Sequence, residues 1–353
     1  MAASVEVRVL ESSEYDAWRA LVAASPDGSI YATAEYLDIL CRAAGGRFRV
    51  LAAFRGAELV GGLPLYERPG RGGLIAGPRL LLYYHGPVLR RFPSKYPSIQ
   101  TNRDVETLGA LADHLARLDL AKVILRGRQS PTDARPFMTR GWRAWPSYSY
   151  VVSLTDLAAA WNRMEQNLRR LVERCQAQGV TITDDDDFQS FLRLHALTMD
   201  RHGAGTYLPM PAFRQWFTAL KASNLVRLLQ ARLPEGEAIA SQVMLLGPHP
   251  VCHTVSASAD PARRQLGASA FLRWRGFERL AALGYHGNDL TDAALNPVTH
   301  FKSQLGGELV LNLVVETRGT LRWRMVGAFD AAMRRSKGVV RRLVRPLWRG
   351  VPG

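Results

Sequence analysis

Asp289 and Lys302 are candidates for catalytic residues, because both carry a charge and lie close together in the chain. Asp289 ends a predicted strand and is followed by a polar loop, and Lys302 lies shortly before the pair Gly306 and Gly307. A carboxylate at such a position can orient an amine or take its proton, and an ammonium can neutralise an oxyanion or a phosphate. The alternatives are a capping role for Asp289 and a solvated surface position for Lys302.

A second candidate is the stretch RRQLGAS, residues 263–269, which precedes an apolar-periodic run. Gly267 is predicted to end a compact turn, and Ala268 and Ser269 to begin a helix. Unpaired N–H groups and the dipole at a helix start attract phosphate, and Arg263 and Arg264 add positive charge beside it. An ordinary strand-to-helix connection is the alternative.

Similar secondary-structure segments surround these residues and occur twice in the chain. Residues 51–66 and 229–246 each read as two strands joined by a turn that contains Gly and Glu. The flanking helical segments also match, 12–40 with 191–220 and 105–127 with 268–292. We therefore predict an α/β (α+β) fold of two tandem modules, residues 1–150 and 151–320, each a mixed sheet flanked by helices. The compact glycine turn occurs in the second copy, where the first has a Pro-rich loop.

Composition limits the function classes. The 353 residues carry a net charge of +15, which attracts nucleic acid, anionic lipid or phosphorylated small molecules, or simply keeps the surface soluble. No apolar run is long enough to span a bilayer and no signal peptide is evident, so a cytoplasmic protein is predicted. Three scattered cysteines without a CxxC pair argue against a disulfide framework or a zinc site, and no metal is predicted.

The chain resembles the Fem-type branch of the GNAT acyltransferase superfamily, whose members have two GNAT-like modules in tandem. The resemblance covers most of residues 1–315 and lies in these motifs, in order: NLRRLVERCQAQGV, LTMDRHG with YLPMPAF, GEAIASQVML, ASADPARRQLGASAFLRW, and DLTD with HFKSQLGG. It implies transfer of an acyl or aminoacyl group to an amine, with cell-wall precursors, peptides or small metabolites as acceptors. The donor would be an acyl thioester, carried by coenzyme A or an acyl carrier protein, or alternatively an aminoacyl-tRNA. No tightly bound cofactor is expected.

GNAT enzymes hold the pyrophosphate of coenzyme A in a turn of pattern Arg/Gln-x-x-Gly-x-Gly/Ala. Residues 264–268 follow this pattern, and Ser269 stands in place of the last small residue. The resemblance therefore makes the second module the donor-binding half. The predicted donor-binding residues are Arg263, Arg264, Gln265, Leu266, Gly267, Ala268 and Ser269.

The resemblance also assigns roles around the acceptor. Lys302 would meet the donor carbonyl or phosphate, and Asp289 the acceptor amine. His253, on the strand before the donor turn, would act as a base near neutral pH, the alternative being a core histidine with a satisfied hydrogen bond. The predicted substrate-binding residues are Tyr83, Tyr84 and His85 of the first module and Arg201 and Tyr207 of the second.

Residues 321–353 read as a basic amphipathic tail. Val340, Val344 and Leu347 share a stripe opposite several arginines. Such a segment suits an anionic membrane surface, which would place the protein at the inner face of the membrane, or an approach to tRNA. Docking on the protein's own core explains the apolar stripe equally well. A non-catalytic relative that binds an anionic ligand or nucleic acid is the remaining alternative to an enzyme.

Overall fold

The computed structural model describes residues 4–70, 72–201, 203 and 205–327, and the fold is a mixed sheet flanked by helices. This confirms the predicted α/β class. The strands are β1 (Val5–Val9), β2 (Arg47–Arg55), β3 (Glu58–Gly70), β4 (Gly73–Ala76), β5 (Val88–Leu89), β6 (Lys122–Arg126), β7 (Arg143–Ser153), β8 (Thr181–Thr183), β9 (Val226–Arg232), β10 (Ala238–Leu245), β11 (Val251–Ala259), β12 (Gly287–Asp289) and β13 (Glu308–Glu316). The helices are α1 (Tyr15–Ala24), α2 (Ala34–Ala44), α3 (Pro97–Ala116), α4 (Arg135–Met138), α5 (Leu157–Arg163), α6 (Gln166–Ala177), α7 (Phe188–Arg201), α8 (Met210–Ala222), α9 (Ala268–Ala282) and α10 (Pro297–Ser303).

One sheet runs through the described part of the chain, in the order β1-β2-β3-β4-β6-β13-β7-β12-β11-β10-β9-β8, with β5 beside β3. The last of these strands along the chain, β13, lies between β6 and β7 and is antiparallel to both. The two halves of the chain therefore share a continuous backbone ladder. The predicted module boundary, between residues 150 and 151, falls within β7.

The order of elements is similar in the two halves. In each half a pair of helices precedes an antiparallel strand pair, α1 and α2 before β2–β3, and α7 and α8 before β9–β10. A long helix followed by a short strand comes later, α3 with β6 and α9 with β12. These are the segments that the repeated sequence pattern predicts.

In the second half of the chain, helices pack on both faces of the sheet, and each face has its own apolar cluster. The apolar faces of α7 and α8 bury Phe191 and Trp216 in one cluster, which also takes in Tyr31 and Tyr84 of the first half. On the other face, α6 and α9 pack against each other, with Phe277 and Leu168 among the buried residues. Apolar residues at helical spacing thus fix α9 against the sheet, and with it the turn at its start.

Two negative findings apply to the described residues. In that part of the chain no helix is both long and apolar enough to cross a membrane. Within the same residues, no cluster of three or more His, Cys, Asp or Glu side chains is arranged to hold a metal ion. Of the predicted basic tail, residues 321–327 are helical, and the stripe of Val340, Val344 and Leu347 lies outside the described residues.

Candidate functional site

The candidate site lies where two neighbouring strands separate. β11 and β12 run parallel and pair from Val251 with Gly287 to His253 with Asp289. β12 ends there, whereas β11 continues to Ala259 alongside β10. β12 does not pair with this continuation, where the carbonyl of Thr254 accepts from the Thr291 hydroxyl at 3.4 Å.

Asp289 is fully buried at this point and receives contacts from both halves of the chain. Its Oδ2 accepts a hydrogen bond from the Tyr84 hydroxyl at 2.7 Å, and its Oδ1 accepts one from the Thr291 N–H at 2.8 Å. The same Oδ2 lies 3.7 Å from Arg128 Nε and 3.7 Å from His253 Nδ1. Burial raises the pKa of the Asp289 carboxyl, and the charge of Arg128 opposes this shift. A carboxyl with a raised pKa binds a proton more readily than an exposed aspartate does.

His253 is buried against aromatic rings. Its ring centroid lies 4.9 Å from that of Tyr31 and 5.7 Å from that of Tyr84. His253 thus has the core position of the alternative interpretation, but neither of its ring nitrogens makes a hydrogen bond to any described residue. Burial, followed by the charge of Arg128, holds the pKa of His253 well below its usual value, and the imidazole is neutral at neutral pH.

Lys302, on the short helix α10, holds the loop that follows Asp289. Its Nζ donates to the carbonyl oxygens of Thr291 and Asp292, each at 2.8 Å. The Asp292 carboxylate in turn lies 3.2 Å from Arg126 of the first half. Burial lowers the pKa of Lys302 to about 8, and the positive charge of Arg273 acts in the same direction. The solvated surface position considered for Lys302 is wrong, because this side chain is buried.

The residues predicted in the first module differ in their placement. Tyr84 contacts Asp289 directly, as described above, and Tyr83 donates to the carbonyl of Val255 on β11 at 3.5 Å. His85 is buried among main-chain groups, because its Nε2 accepts from the Tyr66 N–H at 2.8 Å and its Nδ1 lies 3.2 Å from the Ile124 carbonyl. Both ring nitrogens are therefore occupied within the fold, and His85 has none left for a substrate.

Tyr207 and Arg201 lie on the α7–α8 side of the second half. The Tyr207 ring packs edge-on against His195 at 4.7 Å, and Tyr207 is one of the groups that raise the pKa of the buried Tyr83. Tyr207 therefore belongs to the group of aromatic residues beside β11. Arg201 is exposed at the end of α7, and its contact with a substrate stays a prediction.

The predicted donor turn is a short 3-10 helix, Pro261–Leu266, followed by Gly267 and then α9. Gly267 has φ of 76°, and a Cβ there would lie 2.8 Å from the Cβ of Leu171 on α6. Glycine is required both by this left-handed conformation and by the close approach of α6. The side chains of Arg264 and Ser269 are exposed at the start of α9. Exposed side chains, one of them a cation, thus stand beside the start of a helix, and this combination suits phosphate binding.

Three residues of the site are missing from the sequence-based prediction. Tyr31 and Arg128 are buried beside His253 and Asp289, yet nothing in their local sequence distinguishes them. Arg273 has a signal. It occurs on the apolar face of α9, three residues after Ala270 and four before Phe277, where a charged residue is unexpected.

Comparisons with known proteins bear on the family and the fold. Residues 162–303 match the family model described as Acetyltransferase (GNAT) domain, a segment that contains α6, the donor turn, Asp289 and Lys302. No curated protein sequence matches the chain.

Solved structures with a similar fold cover nearly the whole chain. The crystal structure of FemX is similar with a TM-score of 0.67 at 14% identity, over 88% of this chain and 96% of that one. The C-terminal domain of a putative lysylphosphatidylglycerol synthetase from Agrobacterium fabrum gives a TM-score of 0.56 at 13% identity, over 91% and 97%. A tandem GNAT protein from the clavulanic acid biosynthesis pathway gives 0.51 at 12% identity, over 89% and 98%. The chain therefore has a GNAT/Fem-type fold, and the predicted resemblance is confirmed.

Proposed function

We propose that this protein is an N-acyltransferase that moves an acyl group from an acyl thioester, on coenzyme A or an acyl carrier protein, to a primary amine of a peptide or small molecule. The observation that supports this most is the position of Asp289. Its buried carboxyl, with a raised pKa, lies at the point where β11 and β12 separate. The turn before α9, which suits a phosphate, belongs to the same half of the chain.

The residues present suit amine acylation. Asp289 accepts a proton from the attacking amine, because its raised pKa makes it a better base than an exposed carboxylate. The N–H groups of β11 beyond His253 stabilise the oxyanion that forms on the thioester carbonyl. Lys302 fixes the loop after Asp289 through the Thr291 and Asp292 carbonyls, so the base stays in place. When the tetrahedral adduct collapses, the carbonyl re-forms and the C–S bond breaks. The thiolate takes up the proton that Asp289 received from the amine, which gives a neutral thiol and restores the carboxylate.

The donor turn gives the first test. In Ser269→Glu the new carboxylate stands at the helix start and repels a bound pyrophosphate, whereas Ser269→Gln places a neutral side chain of the same size there. We expect acyl-CoA affinity, measured by calorimetry with acetyl- and longer acyl-CoAs, to fall roughly tenfold in the Glu variant and to stay near wild type in the Gln variant. Equal affinities in the two variants, or no binding of any acyl-CoA to wild type, would contradict donor binding at this turn.

An aminoacyl-tRNA is the alternative donor, and the net charge of +15 is the observation that favours it. Binding of charged tRNA in preference to the same tRNA uncharged, without binding of acyl-CoA, would identify that donor. Binding of both tRNA forms alike with no transfer in any assay would identify instead a non-catalytic nucleic-acid-binding protein.

A further inference from the structure

Arg273 is a buried cation whose guanidinium is incompletely bonded. It lies on α9 and is 7% exposed, and its Nε and Nη1 make no hydrogen bond to any described residue. It forms no ion pair with a described carboxylate. Leaving a guanidinium buried and unpaired is strongly destabilising, since its lost hydration is not replaced. A protein that retains such a group needs a partner for it from elsewhere.

A second buried cation lies close by. Lys302 is 9% exposed, and the charge of Arg273 is the largest electrostatic contribution to its lowered pKa. Tyr207, which packs against His195 and adjoins Tyr83, is also close enough to Arg273 to act on its charge. Arg273 thus connects the loop held by Lys302 with the tyrosines beside β11. This is a positively charged interior position at the candidate site.

A pyrophosphate bound at the donor turn would not be the missing partner of Arg273. Ala268 begins α9 and Arg273 lies five residues later, about 7.5 Å along the helix axis. Arg273 lies one turn after Ser269 on the same face of α9, but Ser269 is exposed at the helix start whereas Arg273 is buried. A pyrophosphate held at the helix start and an anion at Arg273 therefore occupy different places.

We propose that Arg273, with Lys302 beside it, binds an anionic carboxylate or phosphate group of the acceptor, so that the amine acylated by this protein belongs to a negatively charged molecule. That the bound anion belongs to the acceptor rests on the proposed function, whereas the anion site itself does not. A guanidinium fork matches two oxygens of a carboxylate or a phosphate, and Tyr207 adds an aromatic wall and a hydroxyl. The neighbouring Asp289 then meets the amine of the same molecule.

The test compares amines that differ in charge. Two pairs serve as probes: β-alanine with β-alaninamide for a carboxylate, and phosphoethanolamine with ethanolamine for a phosphate. Binding is followed by thermal shift and calorimetry at fixed ionic strength, in the full chain without donor. We expect one anionic member to raise Tm and its neutral partner to leave Tm unchanged, and the pair that responds identifies the anion.

The variant Arg273→Met removes the cation and keeps an unbranched apolar side chain, and Arg279→Met, at an exposed position on the same helix, is the matched control. We expect Arg273→Met to weaken binding of the anionic probe roughly thirtyfold and to raise the Tm of the ligand-free protein, since an unpaired buried charge is gone. Arg273→Lys keeps the charge without the planar guanidinium, and its affinity for the anionic probe should lie between those of wild type and Arg273→Met. It also serves as the test variant if the methionine protein does not fold.

Equal binding of the neutral and anionic probes, or full binding by a folded Arg273 variant, would overturn the anion site. The outcome is separable from that of the proposed function. Binding of an anionic amine that is never acylated leaves the site standing and counts against the acyltransferase. Acylation of neutral and anionic amines with the same kcat/KM would support the acyltransferase and count against the anion site.

Discussion

Asp289 is the residue at which the two halves of the chain meet chemically. Its position at the end of a strand, before a polar loop, was predictable because strand ends and following loops have a clear sequence pattern. Its partners were not. Tyr84, Arg128 and His253 lie far from it in sequence, and their proximity depends on strand order rather than on local spacing. The sequence therefore predicts the carboxylate, while the groups that set its pKa follow from the fold.

Tyr84→Phe tests that dependence. The Tyr84 hydrogen bond lowers the pKa of Asp289, so its loss should raise that pKa and shift the acid limb of the kcat/KM profile to higher pH. Loss of the 2.7 Å bond should also cost about 1–3 kcal/mol of unfolding free energy.

Tyr83→Phe is the matched control for this change, because its hydroxyl makes a long 3.5 Å contact to a β11 carbonyl and none to Asp289. An acid limb that stays in place in Tyr84→Phe, or that moves equally in Tyr83→Phe, would show that Asp289 is not the titrating base.

At the scale of elements, the sequence predicted α9 and the turn before it, because apolar spacing and a glycine mark both. It did not predict the order of strands. β13 lies between β6 and β7, and chain order carries no information about that insertion. It also did not predict that α6 packs so closely on Gly267, since a contact between helices 90 or more residues apart has no local signature.

Gly267→Ala measures this contact. The substitution adds a Cβ where φ is 76° and where Leu171 lies 2.8 Å away, so both strain and a clash result. Gly284→Ala is the control, since φ is 85° there and nothing lies within 4 Å of the added Cβ. Urea unfolding should show a loss of about 1 kcal/mol for the control and about 2–3 kcal/mol for Gly267→Ala. Equal losses would mean that α6 yields without cost.

In the molecule as a whole, the sheet joins both halves, and buried histidines occur in each half. Burial lowers the pKa of His85, His195 and His249 to about 4 each. In the unfolded chain these groups bind protons near pH 6.5, and in the folded protein they do so near pH 4. Their contribution to stability is complete above pH 6.5 and is lost as the pH falls through this interval.

We therefore expect the urea midpoint to fall steeply between pH 6.5 and pH 4. His85→Gln, which can replace both main-chain hydrogen bonds, should make that dependence shallower, whereas the same change at exposed His300 should leave it unaltered. A midpoint that is flat over this range would show that these imidazoles are protonated in the folded state.

Acyl transfer from a thioester to an amine at Asp289 can be measured by mass spectrometry of the full-length protein incubated with isotope-labelled acyl-CoAs and a panel of primary amines. We predict a labelled amide, free thiol in equal amount, and loss of both in Asp289→Asn by about a hundredfold or more. Absence of labelled amide from wild type with every acyl-CoA and with labelled aminoacyl-tRNA, or an Asp289→Asn variant as fast as wild type, would contradict the claim.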